Sequence, residues 1–229
     1  MSTIAGNLEN VYANMRAACE KSNRNFFDVK LVGVTKTQPA DRINELTNLG
    51  VKDIGENRVQ EILEKYEEFG PSVVCHMIGH LQTNKVKSII DKVSLIHSVD
   101  SYRLAKEIDK QAKIHKKIME ILIEINIAEE ESKYGIKPAE LSDFLKEIAS
   151  LQNIMVKGLM CMAPIVEKPE ENRLYFRNMR RMFVDSKGFR TNNINMQFLS
   201  MGMTNDYGVA IEEGADIIRV GTGIFGPRS

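Results

Sequence analysis

The sequence predicts an α/β protein that folds as a single (β/α)8 barrel over residues 1–229, with an extra helix before the first strand. Short apolar, β-branched segments alternate with segments of helical periodicity, and there are eight of the former. No linker rich in Gly, Ser or Pro divides the chain. An open, doubly wound parallel sheet is the alternative architecture.

The first half of the chain supplies the extra helix and four strand-helix pairs. The opening amphipathic helix runs to about Lys21, with Asn7 as its cap. The predicted strands are Val29–Thr35, Val51–Ile54, Val73–Ile78 and Val93–His97. A helix follows each of these strands. The first begins at Pro39 and ends at Gly50, and the second runs from Val59 to a stop at Gly70–Pro71. The third begins at Val86, and the fourth passes through Leu104 to Ala112.

The second half repeats the same alternation. Its predicted strands are Ile118–Ile127, Ile154–Met160, Met196–Leu199 and Ile217–Val220. A helix begins at Pro138, a long helix passes through Leu174 to Phe183, and a short one covers Val209–Glu213. These alternating units favour a parallel sheet, and in a barrel that sheet closes on itself.

Composition indicates a cytoplasmic protein. The 31 basic and 31 acidic side chains cancel, which argues against a nucleic-acid surface or a polybasic membrane anchor. The three cysteines are far apart and form no CxxC pair, which is typical of reduced thiols. Residues 1–20 lack the apolar core of a signal peptide, and no later run is apolar enough to span a bilayer.

Lys36 and Arg219 are the first candidate site residues. Parallel barrels carry their chemistry at the C-terminal ends of the strands, and Lys36 ends the first strand just before a proline turn. If Lys36 points inward, Val32 and Val34 do too, and Arg219 shares the interior with Ile217. The first and last strands become neighbours on closure, so both cations would face one cavity. Alternatively, Lys36 only marks the strand end and reaches solvent.

Two glycine-bearing segments predict a phosphate site. Ser200–Thr204 follows strand seven and Gly221–Gly223 follows strand eight, the loops that most often hold phosphate in this architecture. Glycine lets backbone N–H groups approach an anion, and Thr and Ser hydroxyls add donors. The alternative is that these glycines only allow tight turns. Two such segments in the two expected loops favour phosphate.

A lysine beside a phosphate site indicates a Schiff base with a phosphorylated aldehyde or ketone. Two classes of protein fit this chemistry. One binds pyridoxal 5′-phosphate (PLP), and the other is an aldolase that acts on phosphosugars and needs a positioned acid or base as well.

Five long segments resemble the pyridoxal phosphate homeostasis protein family, the YggS-like proteins. The likeness runs from the opening helix to the last residues, with the segments in the family's order. They are Val34–Pro39 (VTKTQP), Gly55–Glu61 (GENRVQE), His76–Lys85 (HMIGHLQTNK), Leu199–Thr204 (LSMGMT) and Arg219–Gly226 (RVGTGIFG). Cys75 and Ile54 depart from the aromatic residues common in the family at those positions, which affects the packing of the wall.

The resemblance implies a fold-type III barrel like the N-terminal domain of alanine racemase, with PLP as an internal aldimine on Lys36. It also implies that Arg219 faces the pyridine nitrogen and that Asn57 lies near the ring. The phosphate would be held by Ser200, Met201, Gly202, Gly221 and Thr222. His80, Met160 and Lys133 are candidate residues of the mouth, with Lys133 a candidate second cation for PLP.

The same arginine favours a carrier over an enzyme. PLP catalysis usually relies on a protonated pyridine nitrogen, and a facing arginine opposes that protonation. We therefore expect a non-catalytic, monomeric carrier or buffer of intracellular PLP that takes part in vitamin B6 homeostasis, with PLP-dependent apo-enzymes as candidate partners. A racemase-like enzyme, and after it a phosphosugar aldolase, are the alternatives. His76 and His80 lie on a strand and a loop, not on one helix face, so we expect no metal site.

Overall fold

Eight parallel strands close into a barrel in the computed structural model, which describes residues 3–70, 72–189 and 191–227. Each strand pairs with the next along the chain, and β1 pairs with β8, with Val32 opposite Arg219. This closure confirms the predicted barrel and excludes the open sheet. The strands are β1 Lys30–Val34, β2 Asp53–Glu56, β3 Val74–Met77, β4 Leu95–Val99, β5 Met119–Ile125, β6 Ile154–Cys161, β7 Ile194–Met203 and β8 Ile217–Val220.

Helices cover the outside of the barrel. They are α1 Ile4–Lys21, α2 Ala40–Asn48, α3 Val59–Lys65, α4 Val86–Ile89, α5 Tyr102–Ile114, α6 Leu141–Ile148, α7 Arg173–Ser186, α8 Tyr207–Glu212 and α9 Thr222–Phe225. Short 3-10 turns occur at Phe26–Asp28, Tyr66–Glu68, Thr83–Lys85, Pro138–Glu140 and Pro169–Asn172. Within the described ranges, no helix combines the length and apolar character needed to cross a membrane.

The helix before the barrel is present, but its cap differs from the prediction. The hydroxyl of Thr3 accepts the N–H of Gly6 and caps α1, because the apolar face already begins at Ile4. Asn7 lies inside the helix, where its Nδ2 donates to the carbonyl of Ile224 at 2.8 Å. The predicted stop at Pro71 lies outside the described residues.

Three of the predicted strands have the wrong bounds. The strands expected at Val51–Ile54 and Val93–His97 lie at Asp53–Glu56 and Leu95–Val99. Val51 and Val93 are buried before these strands, so their apolar character reflects packing beneath the helices and not strand pairing. The third is β7, which was predicted at Met196–Leu199 but runs from Ile194 to Met203.

The core has two layers. The larger layer fills the space between the barrel and its helices, while a small apolar cluster occupies the barrel interior. The interior cluster contains Val32, Leu95, Leu122, Met160 and Ile217. Val32 and Ile217 therefore point inward, as their positions relative to Lys36 and Arg219 predicted. Met160 was expected at the mouth, but it packs deeper because β6 continues past it to Cys161.

Gly158 marks a close approach of β6 and β7. The pairing register shifts beside it, its φ is +156°, and a Cβ there would overlap the carbonyl oxygen of Phe198. We expect Gly158→Ala to lower the free energy of unfolding by about 3 kcal/mol, since a neighbouring strand cannot move aside easily. Gly208→Ala is the matched control because a Cβ there meets nothing within 4 Å and α8 gains helix propensity. Denaturant melts of both variants test this, and equal stability would contradict it.

Candidate functional site

A cavity of about 380 Å³ opens at the C-terminal ends of the strands. Loops that follow β1, β6, β7 and β8 form its wall. Lys36 and Arg219 line it together, as expected from their positions on neighbouring strands. The other lining residues are Val34, Gln38, Pro164, Ile165, Val166, Pro169, Asn172, Met203, Thr204, Asn205, Asp206, Gly221, Thr222, Phe225 and Gly226.

Lys36 is half-buried between two threonines whose backbones are held in place. The N–H of Thr35 donates to the carbonyl of Gly55 at 3.0 Å, which extends the pairing of β1 with β2. Thr37 has φ +65°, a left-handed conformation that a β-branched residue rarely adopts. Such a conformation persists only where surrounding contacts impose it. The backbone at Lys36 is therefore bent sharply out of the strand.

Side chains from β2 and α3 impose that bend. The hydroxyl of Thr35 donates to Glu56 at 2.7 Å, and the N–H of Thr37 donates to Glu61 at 2.6 Å. Lys65 joins these two carboxylates, with its Nζ 3.0 Å from Glu56 and 2.8 Å from Glu61. Burial raises the pKa of Glu56. Burial acts the same way on Glu61, but hydrogen bonds from Lys65 and Thr37 outweigh it and lower its pKa.

Arg219 is a buried cation, only 3% exposed. Its Nη1 donates to Ser200 Oγ at 2.5 Å, and its Nη2 donates to the carbonyl of Cys161 at 2.8 Å. Burial lowers its pKa, while the nearby Cys161, Glu124 and Asp206 act against that effect. A guanidinium stays protonated in proteins even so. The cavity therefore has a fixed positive charge in its wall.

Hydrogen-bond donors converge in the loops after β7 and β8. The N–H groups of Gly221 and Gly223 each lie 3.3 Å from the hydroxyl oxygen of Thr204. The hydroxyl of Thr222 lies 3.3 Å from the same oxygen. Backbone N–H groups and hydroxyls arranged around one oxygen are the donor set that a phosphate needs.

Comparisons with known proteins agree with this geometry. The family model described as alanine racemase, N-terminal domain, matches residues 6–229. A pyridoxal phosphate homeostasis protein of Aquifex aeolicus is 44% identical over 222 residues, which cover 96% of each chain. The chain belongs to the pyridoxal phosphate homeostasis protein family.

Solved structures agree with the assignment to this family. PipY of Synechococcus elongatus, solved with PLP bound, superposes with a TM-score of 0.81 at 32% identity, covering 93% of this chain and 99% of that one. An alanine racemase of Clostridium difficile matches with a TM-score of 0.73 at 19% identity, which shows a shared fold. The superposition covers 99% of this chain but only 60% of the racemase chain.

The structure places the phosphate residues expected in this family in two different positions, and their role in binding stays a prediction. Gly221 and Thr222 line the cavity, but Ser200, Met201 and Gly202 do not. Because β7 runs to Met203, these three residues are still in the strand. Their expected place in the wall is taken by Met203 and Thr204.

Ser200, Met201 and Gly202 each make contacts within the fold. Ser200 is fully buried and accepts the hydrogen bond from Arg219. Met201 packs in the outer core. Gly202 has φ +88°, and a Cβ there would lie 2.5 Å from the Cβ of Ala210, so this glycine lets α8 pack closely on β7.

The remaining family candidates lie on loops near the cavity but not in its wall. Asn57 follows β2, and its buried Oδ1 has no hydrogen-bond partner among the described residues. His80 lies 3.2 Å from Asp100 and stacks on Tyr134 with ring centroids 3.6 Å apart. Lys133 pairs with its neighbour Glu130 at 2.6 Å. Their roles in binding stay predictions.

Several residues of the wall were missed at the level of sequence. Asp206 accepts the N–H of Met203 at 2.7 Å and the Nδ2 of Asn172 at 2.8 Å, which joins the loop after β7 to the one after β6. Thr204 ended the predicted phosphate segment, but the polar residues Asn205 and Asp206 that follow it were overlooked because strand seven was ended too early. Across the ranges that the structure describes, no cluster of three or more His, Cys, Asp or Glu residues could hold a metal ion.

Removing the carboxylate of Glu61 should loosen the bend at Lys36. We expect Glu61→Ala to cost about 1–2 kcal/mol of unfolding free energy, because the N–H of Thr37 and the ammonium of Lys65 lose their acceptor. Amide exchange at Thr37 should accelerate at the same time. Glu64→Ala is the matched control on α3, since the carboxylate of Glu64 accepts a hydrogen bond from Gln60 on the exposed face of that helix. Unchanged exchange at Thr37 would refute this role of Glu61.

A buried carboxyl makes stability depend on pH. Glu124 is 2% exposed, and its Oε2 has no partner within the described chain. Burial, and next the charge of Asp100, raise its pKa to about 7, although Arg219 acts to lower it.

This raised pKa fixes the sign of the effect. The folded protein keeps Glu124 protonated where the unfolded chain ionises it, so stability is lost as pH rises from about 4.5 to 7. We expect Glu124→Gln to raise the free energy of unfolding at pH 8 by on the order of 3 kcal/mol, with no gain at pH 4. Denaturant melts across this range, with Glu131→Gln as a surface control, measure the difference. A gain that is equal at both pH values would contradict the assignment.

Proposed function

We propose that this chain binds PLP through Lys36 and serves as a carrier or buffer in PLP homeostasis. One observation carries the proposal. A single cavity brings together the amine of Lys36, the guanidinium of Arg219 and the donors around Thr204. PLP has an aldehyde, a pyridine nitrogen and a phosphate, and these three groups need an amine, a polar contact and an anion site, respectively.

The residues present fit the cofactor chemically. Lys36 supplies the primary amine for a Schiff base. The bent backbone beside it fixes the position of its Cα, from which the side chain extends. Thr204, Gly221, Thr222 and Gly223 supply the donors for the phosphate. A cavity of about 380 Å³ is within the range of small-molecule sites. When bound, PLP supplies an aldehyde that condenses reversibly with amines.

The relatives support the same cofactor. The Aquifex aeolicus relative is named a pyridoxal phosphate homeostasis protein, and PipY was solved with PLP bound. Both align over more than nine-tenths of this chain. The family model spans residues 6–229, a range that includes Lys36 and Arg219.

Arg219 favours a role in binding PLP without catalytic turnover. Its guanidinium is fixed by Ser200 and the carbonyl of Cys161, so it brings a permanent positive charge to the cavity. A positive charge beside the pyridine nitrogen disfavours protonation there, and an unprotonated ring withdraws electrons less strongly. The thiol of Cys161 adds no nucleophile, because burial raises its pKa to about 12.

The cellular part of the proposal follows from this carrier chemistry. We propose that residues 1–229 act as one cytoplasmic, monomeric domain that takes up PLP and releases it to PLP-dependent apo-enzymes. Ile165 is part of the cavity wall and is 95% exposed. A wall that opens to solvent in this way suits exchange of the cofactor. Asn57, His80 and Lys133 remain candidates for contacts during binding or release.

The attachment site can be tested with purified protein and PLP. We expect visible absorption from a lysine-bound cofactor in the natural chain, and we expect Lys36→Ala to abolish it. Lys146→Ala, which removes an exposed lysine of α6 paired with Asp143, should keep the absorption. Borohydride trapping and peptide mapping should place the label on Lys36.

Three results would go against the proposal. Failure of the natural chain to take up PLP would reject the cofactor, and the same covalent absorption in Lys36→Ala would reject the attachment site. Substantial amino-acid racemase activity that depends on Lys36 would replace the carrier with the racemase-like alternative. Trapping of a phosphosugar on Lys36, in place of PLP, would favour the aldolase.

A further inference from the structure

A chain of hydrogen-bonded polar side chains runs from Arg219 through the interior of the barrel. Its upper part lies directly below the cavity. Arg219 Nη1 is 2.5 Å from Ser200 Oγ, and Ser200 Oγ is 3.1 Å from Nδ1 of His97. Ser200 and His97 are fully buried, and they belong to β7 and β4. We call the whole chain, from Arg219 to Asp53, the interior relay.

The lower part of the interior relay reaches the opposite end of the barrel. Nε2 of His97 is 2.9 Å from Nδ1 of His76, and Nε2 of His76 is 3.0 Å from Oδ1 of Asp53. Lys30 pairs with the same oxygen of Asp53 at 2.7 Å. Asp53 begins β2, so the relay spans the barrel from the cavity to the N-terminal ends of the strands.

The carboxylate of Asp53, which can only accept, gives the relay one direction when both imidazoles are neutral. Ser200 Oγ accepts from Arg219 and has one hydrogen, which it donates to Nδ1 of His97. His97 then carries its proton on Nε2 and donates to Nδ1 of His76. His76 carries its proton on Nε2 and donates to the carboxylate of Asp53. Each hydrogen bond therefore points from Arg219 towards Asp53.

The charges at the two ends agree with this direction. Burial is the largest cause that holds the pKa of His97 well below its ordinary value, and the charges of Arg219 and Lys30 act in the same direction, so this imidazole is neutral. Burial raises the pKa of Asp53, but hydrogen bonds from His76 and Lys30 outweigh it and leave a carboxylate. A cation donates at the start of the relay, and an anion accepts at its end.

Burying these polar side chains in the barrel interior costs free energy of desolvation. The members of the relay lie beside an interior cluster of Val32, Leu95, Leu122, Met160 and Ile217, where an apolar side chain would avoid the cost of removing polar groups from water. The groups of the relay partner one another across β2, β3, β4, β7 and β8. A fully satisfied network of this kind rigidifies its members and fixes a unique arrangement.

We infer that His97, His76 and Asp53 are positioning residues that act through Ser200 to fix the guanidinium of Arg219 against bound PLP. This inference rests on the proposed function. Ser200, at the end of the relay, accepts from Nη1, and the carbonyl of Cys161 accepts from Nη2. Because both nitrogens are held, the planar guanidinium has one orientation. The remaining N–H groups of Arg219 then face the cofactor in a constant geometry.

The first test needs no cofactor. In ¹⁵N NMR spectra of the ligand-free natural chain at pH 8, the imidazoles of His76 and His97 should both be the neutral Nε2–H form. The chain has only four histidines, so His76→Gln and His97→Gln spectra assign the signals. A proton on Nδ1 of either ring would reverse the relay and overturn the inference.

The second test uses PLP-loaded protein. His97→Leu removes the middle of the relay, and we expect release of PLP to a trapping hydroxylamine to accelerate about tenfold, as for the loss of one buried hydrogen bond to a charged group. The visible absorption maximum should shift at the same time. Asp53→Asn keeps an acceptor but removes the charge, so its changes should be in the same direction and smaller.

Asp216→Asn is the matched control. Asp216 is also an ion-paired carboxylate at the N-terminal end of a strand, 3.0 Å from Arg24, but it is not part of the relay. Its release rate and absorption should equal those of the natural chain. If folded His97→Leu and Asp53→Asn match the natural chain in both readouts, the inference is wrong while the proposed function stands. If the natural chain takes up no PLP, the proposed function fails, and the NMR result alone decides on the relay.

Discussion

The burial of one cation, Arg219, determines much of the inner structure. A guanidinium that leaves water must exchange its hydration for fixed acceptors, and removing such a partner from a buried charge costs about 3–5 kcal/mol. Ser200 and the carbonyl of Cys161 supply these acceptors, so β6, β7 and β8 must keep a fixed register around the arginine. Glu124 contributes negative potential from β5 when it is ionised. The arginine thus couples the polar interior to the shape of the cavity wall.

Barrel closure brings the second cation, Lys36, to the same place. The pairing of β1 with β8 sets Val32 opposite Arg219, so the chain that leaves β1 passes the loop that leaves β8. The two cations are held by different means. Arg219 is fixed by its side-chain hydrogen bonds, whereas the backbone beside Lys36 is fixed by Glu61 acting on Thr37. Both anchors fix where the two cations meet the cavity.

Periodicity was enough to predict the barrel, the opening helix and the neighbouring positions of Lys36 and Arg219. It failed where a residue's environment depends on other strands. Val51 and Val93 resemble strand residues because they are buried under helices, and the end of β7 was misplaced because pairing with β8 extends it beyond its apolar segment. His76 and His97 could not be joined from sequence, since their contact depends on the register between β3 and β4. The same holds for Thr204, which meets Gly221 and Gly223 only after the barrel closes.

The hydroxyl of Thr204 also bears on what happens when an anion leaves. A buried N–H group that loses its acceptor costs about 1–3 kcal/mol, which would normally make the release of a tightly held phosphate difficult. Here the N–H groups of Gly221 and Gly223 share an acceptor that belongs to the chain, at 3.3 Å, near the long end of the hydrogen-bond range. In the proposed carrier, this threonine oxygen would stand in for a phosphate oxygen at these two N–H groups before the ligand arrives and after it leaves. The two N–H groups would then keep an acceptor when the ligand is absent, which would lower the free-energy cost of its release.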